Sequence, residues 1–444
     1  MVLRKILALA LVAIFALPQP LLALNLIGTV KTNAEYTYAV WNSKSKLLAI
    51  GLYWRSVLVG KYYSELAIIS SNGSVVWVSG KIKGFVHPLW SNDGRLLAFR
   101  VEDSFENYDI AVYDVAKGKI IGKFSTKSYE NVGPISWSPK GNQITFPIHD
   151  IAREIVRVVS YNPEFSDKIW ESSGIENASI TWISWNNRGN RVASLALTFS
   201  KQTFTVTGKA IMLNGNGRVL WEKKLFEIAP EEPHILVAKW DRNGELLAIL
   251  FVTPKVAEVR IYDENVILNR RHVIASNIGN VSYVSAVLDW SPNGSLSLAV
   301  SYSYININES LSKLAIIDDR GNIIWKTTFN SLISYLSWNP SGHILAITTQ
   351  EPDGKYMLYL FNSEGQIICR EHVDGFYISW LSNESLVISG LNQILFYSLK
   401  GGERGFEIDL EELAGENRIP YTHLLIALSL LAVFVLAVLI RRRK

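Results

Sequence analysis

Cysteine is nearly missing from this sequence: Cys369 is the only one in 444 residues. That excludes an intramolecular disulfide framework and the paired-cysteine spacings of structural zinc sites. The signatures of common catalytic machinery are missing as well. There is no G-x-S-x-G elbow, no H-E-x-x-H and no G-x-x-x-x-G-K-[ST] phosphate cradle. The seven histidines (His87, His149, His234, His272, His343, His372 and His423) are dispersed, with no two at ligand spacing. Charge is sparse at 19% and the net value is only +4. Six of the basic residues are Arg4, Lys5 and the terminal Arg441, Arg442, Arg443 and Lys444; without them 38 basic residues face 40 acidic ones. The basic balance therefore reports on the two ends of the chain, and a nucleic-acid partner is not expected.

Apolar residues, in contrast, make up 48% of the chain, so nothing in it reads as disordered. They are arranged in a repeated sentence: an apolar strand ending in Trp, a polar turn closed by Gly, then a second apolar strand. It stands most clearly at Pro88 to Phe99 and recurs around Trp137, Trp185, Trp240, Trp290 and Trp338, with degenerate copies at Trp41 and Trp380. The eight tryptophans are spaced by 49, 47, 48, 55, 50, 48 and 42 residues, which is the period of a repeat architecture. Each unit continues with a third strand, such as Glu65 to Ile69 or Lys313 to Ile317. A Gly turn and a fourth strand follow, as in Gly73 to Trp77, Gly217 to Trp221 and Gly321 to Trp325.

Four short strands per unit of about 48 residues describe the blade of a propeller. The fold expected is all-β: an eight-bladed β-propeller (alternatively seven-bladed, with one aberrant unit) over residues 24–400, followed by a C-terminal transmembrane helix. Asn25 to Val30 resembles a fourth strand and is expected to complete the last blade beside Ile394 to Ser398, which would remove the free sheet edges of an open array. The repeat tryptophans are core residues on this reading. Cys369, standing where other units carry the Trp of Gly-x-x-x-Trp, takes a buried apolar role.

The ends carry a topology. Arg4 and Lys5 precede an apolar run from Ile6 to Leu17, so residues 1–23 read as a signal peptide, with an uncleaved anchor as the alternative. Residues 401–421, acidic in their middle, read as a juxtamembrane linker, although Gly405 to Leu410 is alternatively a strand of the last blade. Residues 422–440 contain no Asp, Glu, Lys or Arg and, as a helix, would extend about 28 Å, enough to span a bilayer. Residues 441–444 are then a basic cytoplasmic tail. The expected location is the cell membrane, single-pass, with the propeller extracytoplasmic.

The WSPDG-like hairpins (Trp90 to Gly94, Trp137 to Gly141, Trp290 to Gly294) resemble those of TolB-type and WD-repeat-like propellers, over about residues 25 to 400. The Gly-x-x-x-Trp fourth strands also resemble the blade motif of quinoprotein-type propellers, whose ring has eight blades. Those enzymes use a metal-bound quinone under a vicinal cysteine pair, which a single cysteine does not supply. The resemblance therefore implies the non-enzymatic assembly and scaffold members. Propeller peptidases carry a separate hydrolase domain of a couple of hundred residues, for which this chain has no room.

The function expected is a membrane-tethered binding or scaffold module that takes a protein or surface glycan; no cofactor, metal or catalytic residue is expected. Its anchors are sought in the loops between second and third strands, which in a ring share one face. They are Tyr53, Trp54, Arg55, Tyr62 and Tyr63 in the first unit, Phe199 and Phe204 in the fourth, and Tyr302 and Tyr304 in the sixth. The bland reading of these rings is mutual packing along extended hairpins. An exported enzyme with lyase or oxidoreductase chemistry in the central channel is the alternative, with His87 and His149 as the histidines nearest such a centre. A passive envelope protein is another. Asn72, Asn177, Asn280, Asn293, Asn308 and Asn383 stand in Asn-x-Ser sequons open to glycosylation.

Overall fold

The residue after each repeat Trp explains how the first hairpin of a unit closes. Its side chain accepts the backbone N–H of the residue five positions on. Ser91 takes Leu96 at 3.0 Å, Ser138 takes Gln143, Asn186 takes Arg191, Asp241 takes Leu246 and Asn339 takes Ile344. Only short polar acceptors do this, so Ser, Asn and Asp recur there. Gly94 closes the second unit's turn at φ 73°, a conformation that a side chain disfavours.

In a computed structural model, which describes residues 23–55, 62–102, 109–265, 267–279, 281–304, 310–318, 322–400 and 406–410, these hairpins build eight antiparallel sheets. The sheets are blades 1 to 8, at residues 36–83, 85–124, 130–176, 178–228, 235–276, 281–329, 332–373 and 375–398. The seven-bladed alternative is therefore discarded. Blade 8 supplies only three strands from the C-terminal part of the chain. Its fourth is Asn25–Lys31, antiparallel to Gln393–Ser398 with Asn25 opposite Ser398 and Lys31 opposite Gln393. A fifth strand, Phe406–Asp409, adds to Asn25–Lys31 in parallel, so the first residues after the masked 401–405 are part of the sheet and not a linker.

The core lies between blades. Among the described residues it divides into eight apolar clusters, each shared by two neighbours. The eighth joins Val387, Ile394 and Phe396 of blade 8 to Leu48 and Ile50 of blade 1, closing the ring. Outer-strand aromatics reach into the next blade. Trp77 stacks on Tyr113 at 4.2 Å, and Trp170 fills the space that a Cβ on Gly217 would need. Phe406 does the same over Gly28 and Gly73, tying the last strand to blade 1. Cys369 is 1% exposed among Leu395, Tyr397 and other blade 8 residues, and burial pushes its thiol up to about 11. It is a packing residue, not a nucleophile.

The repeat tryptophans stitch the seams. The indole N–H of Trp90 donates to the Val40 carbonyl at 2.9 Å, Trp137 to Leu89, Trp240 to Ser184, Trp290 to Lys239 and Trp380 to Ser337. Every acceptor is the residue just before the preceding blade's Trp. Trp41 is the exception, its buried Nε1 having no acceptor. Replacing one partner of a buried hydrogen bond leaves the other unpaired, at a cost of about 1–3 kcal/mol. Trp90→Phe is therefore expected to lose about 1–2 kcal/mol more than Trp41→Phe, which removes only an unpaired donor. Thermal and urea unfolding of the two variants checks this; equal losses would mean that the seam depends on ring volume alone.

Candidate functional site

Strand direction divides the disc into two faces. Inner strands run toward the Trp–Gly turns, so the first-to-second and third-to-fourth turns share one side, here the turn face. The second-to-third loops and the connections between blades share the other, the loop face. The loop face holds a basin of about 1550 Å³ over blades 1 to 5, walled by Tyr62, Arg100, Glu130, His149, Glu154 and Phe199 among others. At its floor, Phe85, Arg100 and Pro134 also line a narrower cavity of about 570 Å³ that continues into the central channel.

That cavity is aromatic. Its wall includes Tyr36, Tyr38, Tyr335, Phe376 and Tyr377, with Tyr38 edge-on to Tyr377 at 4.8 Å and Tyr335 at 5.7 Å from the same ring. Burial raises the phenol of Tyr335 to about 12 and holds that of Tyr38 higher still. Tyr38, His87, Pro134, Tyr335 and Tyr377 each stand three residues before a repeat Trp. The channel lining was thus written in the repeat at a fixed offset, a signal that the search for loop aromatics passed over.

Arg100 sits at the junction of basin and cavity, donating from Nη1 to the Val132 carbonyl at 3.1 Å. Burial lowers its guanidinium to about 10. Enclosure by protein, and then the Arg100 charge, push His87 down to about 4; His149 is lowered for the same two reasons in the same order. A fixed positive charge facing both rings opposes a bound cation there. Among the described residues no three His, Cys, Asp or Glu side chains converge on a metal position. The wall's other cations are engaged: Arg157 with Glu130 and Glu171 (3.3 and 2.9 Å), Lys201 with Glu154 (2.7 Å) and Arg153 with Asp150 (3.7 Å).

The expected loop anchors separate into groups. Arg55 lies over the Tyr62 ring at 6.0 Å, and Tyr62 packs on Phe85 at 4.3 Å, forming one wall of the basin. Trp54 donates to Asn33 at 3.0 Å, and Lys81 covers the Tyr63 ring at 4.4 Å; neither lines the basin. Phe199 and Phe204 meet edge-on at 5.5 Å and remain 38% and 65% exposed, so here mutual packing and exposure coexist. Tyr53 and Tyr302 are corrections. Tyr53 is 6% exposed with its hydroxyl on the Val86 carbonyl, and Tyr302 is 1% exposed in the seam between blades 5 and 6. Both occupy inward positions of the strand alternation, so they are core residues and not partner anchors. The side chain of Tyr304 lies outside the described residues. Of the sequons, Asn72, Asn177, Asn293 and Asn383 are exposed, whereas Asn280 and Asn308 lie outside the described residues. The segment 422–440 is also outside them, as are residues 1–22; among the described residues no helix is long and apolar enough to cross a membrane.

No family model matches the chain, and no curated protein does. Among solved structures the chain is similar to the Dos1 propeller, at 12% identity over 87% of this chain and 98% of that one, with a TM-score of 0.57. It is also similar to a structure from a study of two prolyl endopeptidases, at 11% identity over 77% of this chain and 50% of that one, with a TM-score of 0.50. At such identities the likeness shows the propeller fold alone. Nothing in it distinguishes TolB-type from WD-repeat ancestry.

A pH dependence follows from the two histidines. Both have folded-state values below the unfolded value of about 6.5, so the unfolded chain takes up protons that the folded protein refuses. Their neutral forms cost nothing above about pH 6.5, and stability falls as pH drops from there toward 4. Melting temperatures at pH 7 and pH 5 should differ less in a His87→Gln, His149→Gln double variant than in the native protein. An unchanged difference would assign the acid sensitivity elsewhere.

Proposed function

We propose that this protein is a non-enzymatic, membrane-tethered propeller held outside the cytoplasm, which takes a protein loop or a surface glycan into the basin of its loop face. The sequence supports the tether: a signal-like N-terminus, an uncharged stretch at 422–440 and a cationic tail agree on one topology. The observation that carries the binding reading is the basin itself. Its roughly 1550 Å³ exceeds the ordinary span of small-molecule pockets, about 300–1,000 Å³, and suits a chain-like ligand better than a metabolite. One wall presents Arg55, Tyr62 and Phe85 as a contiguous guanidinium and ring surface, the residue types that anchor interfaces and stack on sugars.

Crosslinking and affinity capture of the intact protein from its native membrane, read by mass spectrometry, tests this. A stoichiometric partner or glycan is expected with the native chain. Arg55→Ala with Tyr62→Ala should reduce capture about tenfold or more while the melting temperature holds, since anchors of this kind contribute on the order of 1–2 kcal/mol each. Undiminished capture by the double variant would remove the basin from the reading.

A further inference from the structure

The direction of one strand fixes how the disc can sit on a membrane. Asn25–Lys31 runs from the turn face to the loop face, because Asn25 pairs with Ser398 at the end of the third strand and Lys31 with Gln393 at its start. Phe406–Asp409 is parallel to it, with Gly28 opposite Phe406 and Lys31 opposite Asp409. The chain therefore reaches Leu410 at the loop face. Only residues 411–421 separate that point from the uncharged stretch at 422–440. To present the turn face to a bilayer, those eleven residues would have to double back across the depth of the blade, about 23 Å for a seven-residue strand. No such reversal is needed if the loop face is the proximal one.

A second, independent observation agrees. All five aromatic rings among the exposed large hydrophobics lie at the loop face: Tyr36 (52%), Tyr129 (41%), Phe199 (38%), Phe204 (65%) and Tyr283 (50%). Ile151, 62% exposed, stands beside Tyr129, its N–H donating to the Tyr129 carbonyl at 2.9 Å. The turn face has no such rings. Its exposed apolar residues are aliphatics at the starts of outer strands, among them Val76, Ile169, Leu220, Ile324 and Ile367. Rings with one polar and one apolar aspect collect at membrane–water boundaries, where bare aliphatics show no preference. The most prominent group, on blades 3 and 4, lies across the ring from the strand that leads to the tether. Only a disc lying flat on its loop face lets both meet one plane. Lys127, Arg153 and Lys201 stand among these side chains, with Lys127 5.7 Å from the Tyr129 ring.

We propose that the loop face rests on the bilayer, with Ile151, Phe199 and Phe204 inserted at headgroup level as a second point of attachment opposite the C-terminal tether. The proposal rests on the tethered reading given above and narrows it: whatever enters the basin does so at the lipid surface.

The test uses the full chain reconstituted in phosphatidylcholine vesicles containing lipids with headgroup nitroxides. A fluorophore is placed by Phe204→Cys, by Ile151→Cys, or on the turn face of the same blade by Asn216→Cys. Buried Cys369 stays, and the unsubstituted chain serves as the labelling control. Strong quenching at 204 and 151 with little at 216 is expected. Phe199→Asp with Phe204→Asp should then relieve quenching at 151 without releasing the protein to alkaline carbonate. Equal quenching at 204 and 216, or none at either, in carbonate-resistant protein would overturn the docking and leave the tether standing. Extraction of the unsubstituted chain by carbonate would overturn the tether and the docking with it.

Discussion

An indole N–H buried at a seam between two sheets has to find an acceptor there, because no water reaches it and an unmet donor is costly. This requirement organises the ring. In five seams the acceptor is the carbonyl just before the preceding blade's Trp, so each blade is positioned by the same atom of its neighbour. Where a side chain at that place takes the Trp backbone N–H instead, the indole turns elsewhere. Ser136 accepts the Trp185 N–H and the indole goes to the Thr145 hydroxyl at 2.8 Å. Asp289 accepts the Trp338 N–H and the indole goes to Ser297 at 2.9 Å. At the closing seam Ser379 accepts the Trp41 N–H, and the indole is left with no acceptor.

That closing seam is the weakest by this measure and the most reinforced by others. It joins the two ends of the chain through backbone pairing, through the cluster that includes Val30 and Leu410, and through Phe406 lying over glycines of two different blades. Gly28 and Gly73 are needed because a Cβ at either would fall within about 3 Å of the Phe406 ring or its neighbour Ile408. Sequence positions nearly 380 residues apart thus form one sheet. The ring cannot close until the chain is nearly complete, which makes its contacts among the most non-local in the molecule.

Much of the architecture was legible because it is repeated. One Trp and one turn chemistry, seen eight times, average out local ambiguity, and the strand Asn25–Lys31 could be assigned to the last blade from its likeness to other fourth strands. The site was less legible, because position on a propeller face depends on alternation within long hairpins. Tyr53 and Trp54 are adjacent, and one residue of phase decides that the first is buried while the second reaches the surface. Tyr302 lies inside for the same reason. The channel tyrosines and Arg100 are scattered in sequence and converge only in the ring, although their offset from the repeat Trp marks several of them in retrospect.

The same geometry relates the basin to the tether. A propeller whose chain both begins and ends in its last blade can deliver its C-terminus to either face, depending on whether the final strand runs with or against the one that closes the ring. Had Phe406–Asp409 paired antiparallel, the chain would leave at the turn face, among aliphatic side chains and tight Gly turns that offer no cavity. Running parallel, it leaves beside the basin, the channel mouth and the exposed rings. Strand direction, basin and aromatic rim are separate properties of the sequence, set by different residues on different blades. Their coincidence on one face is what a surface-facing binding module requires, and packing alone demands none of it.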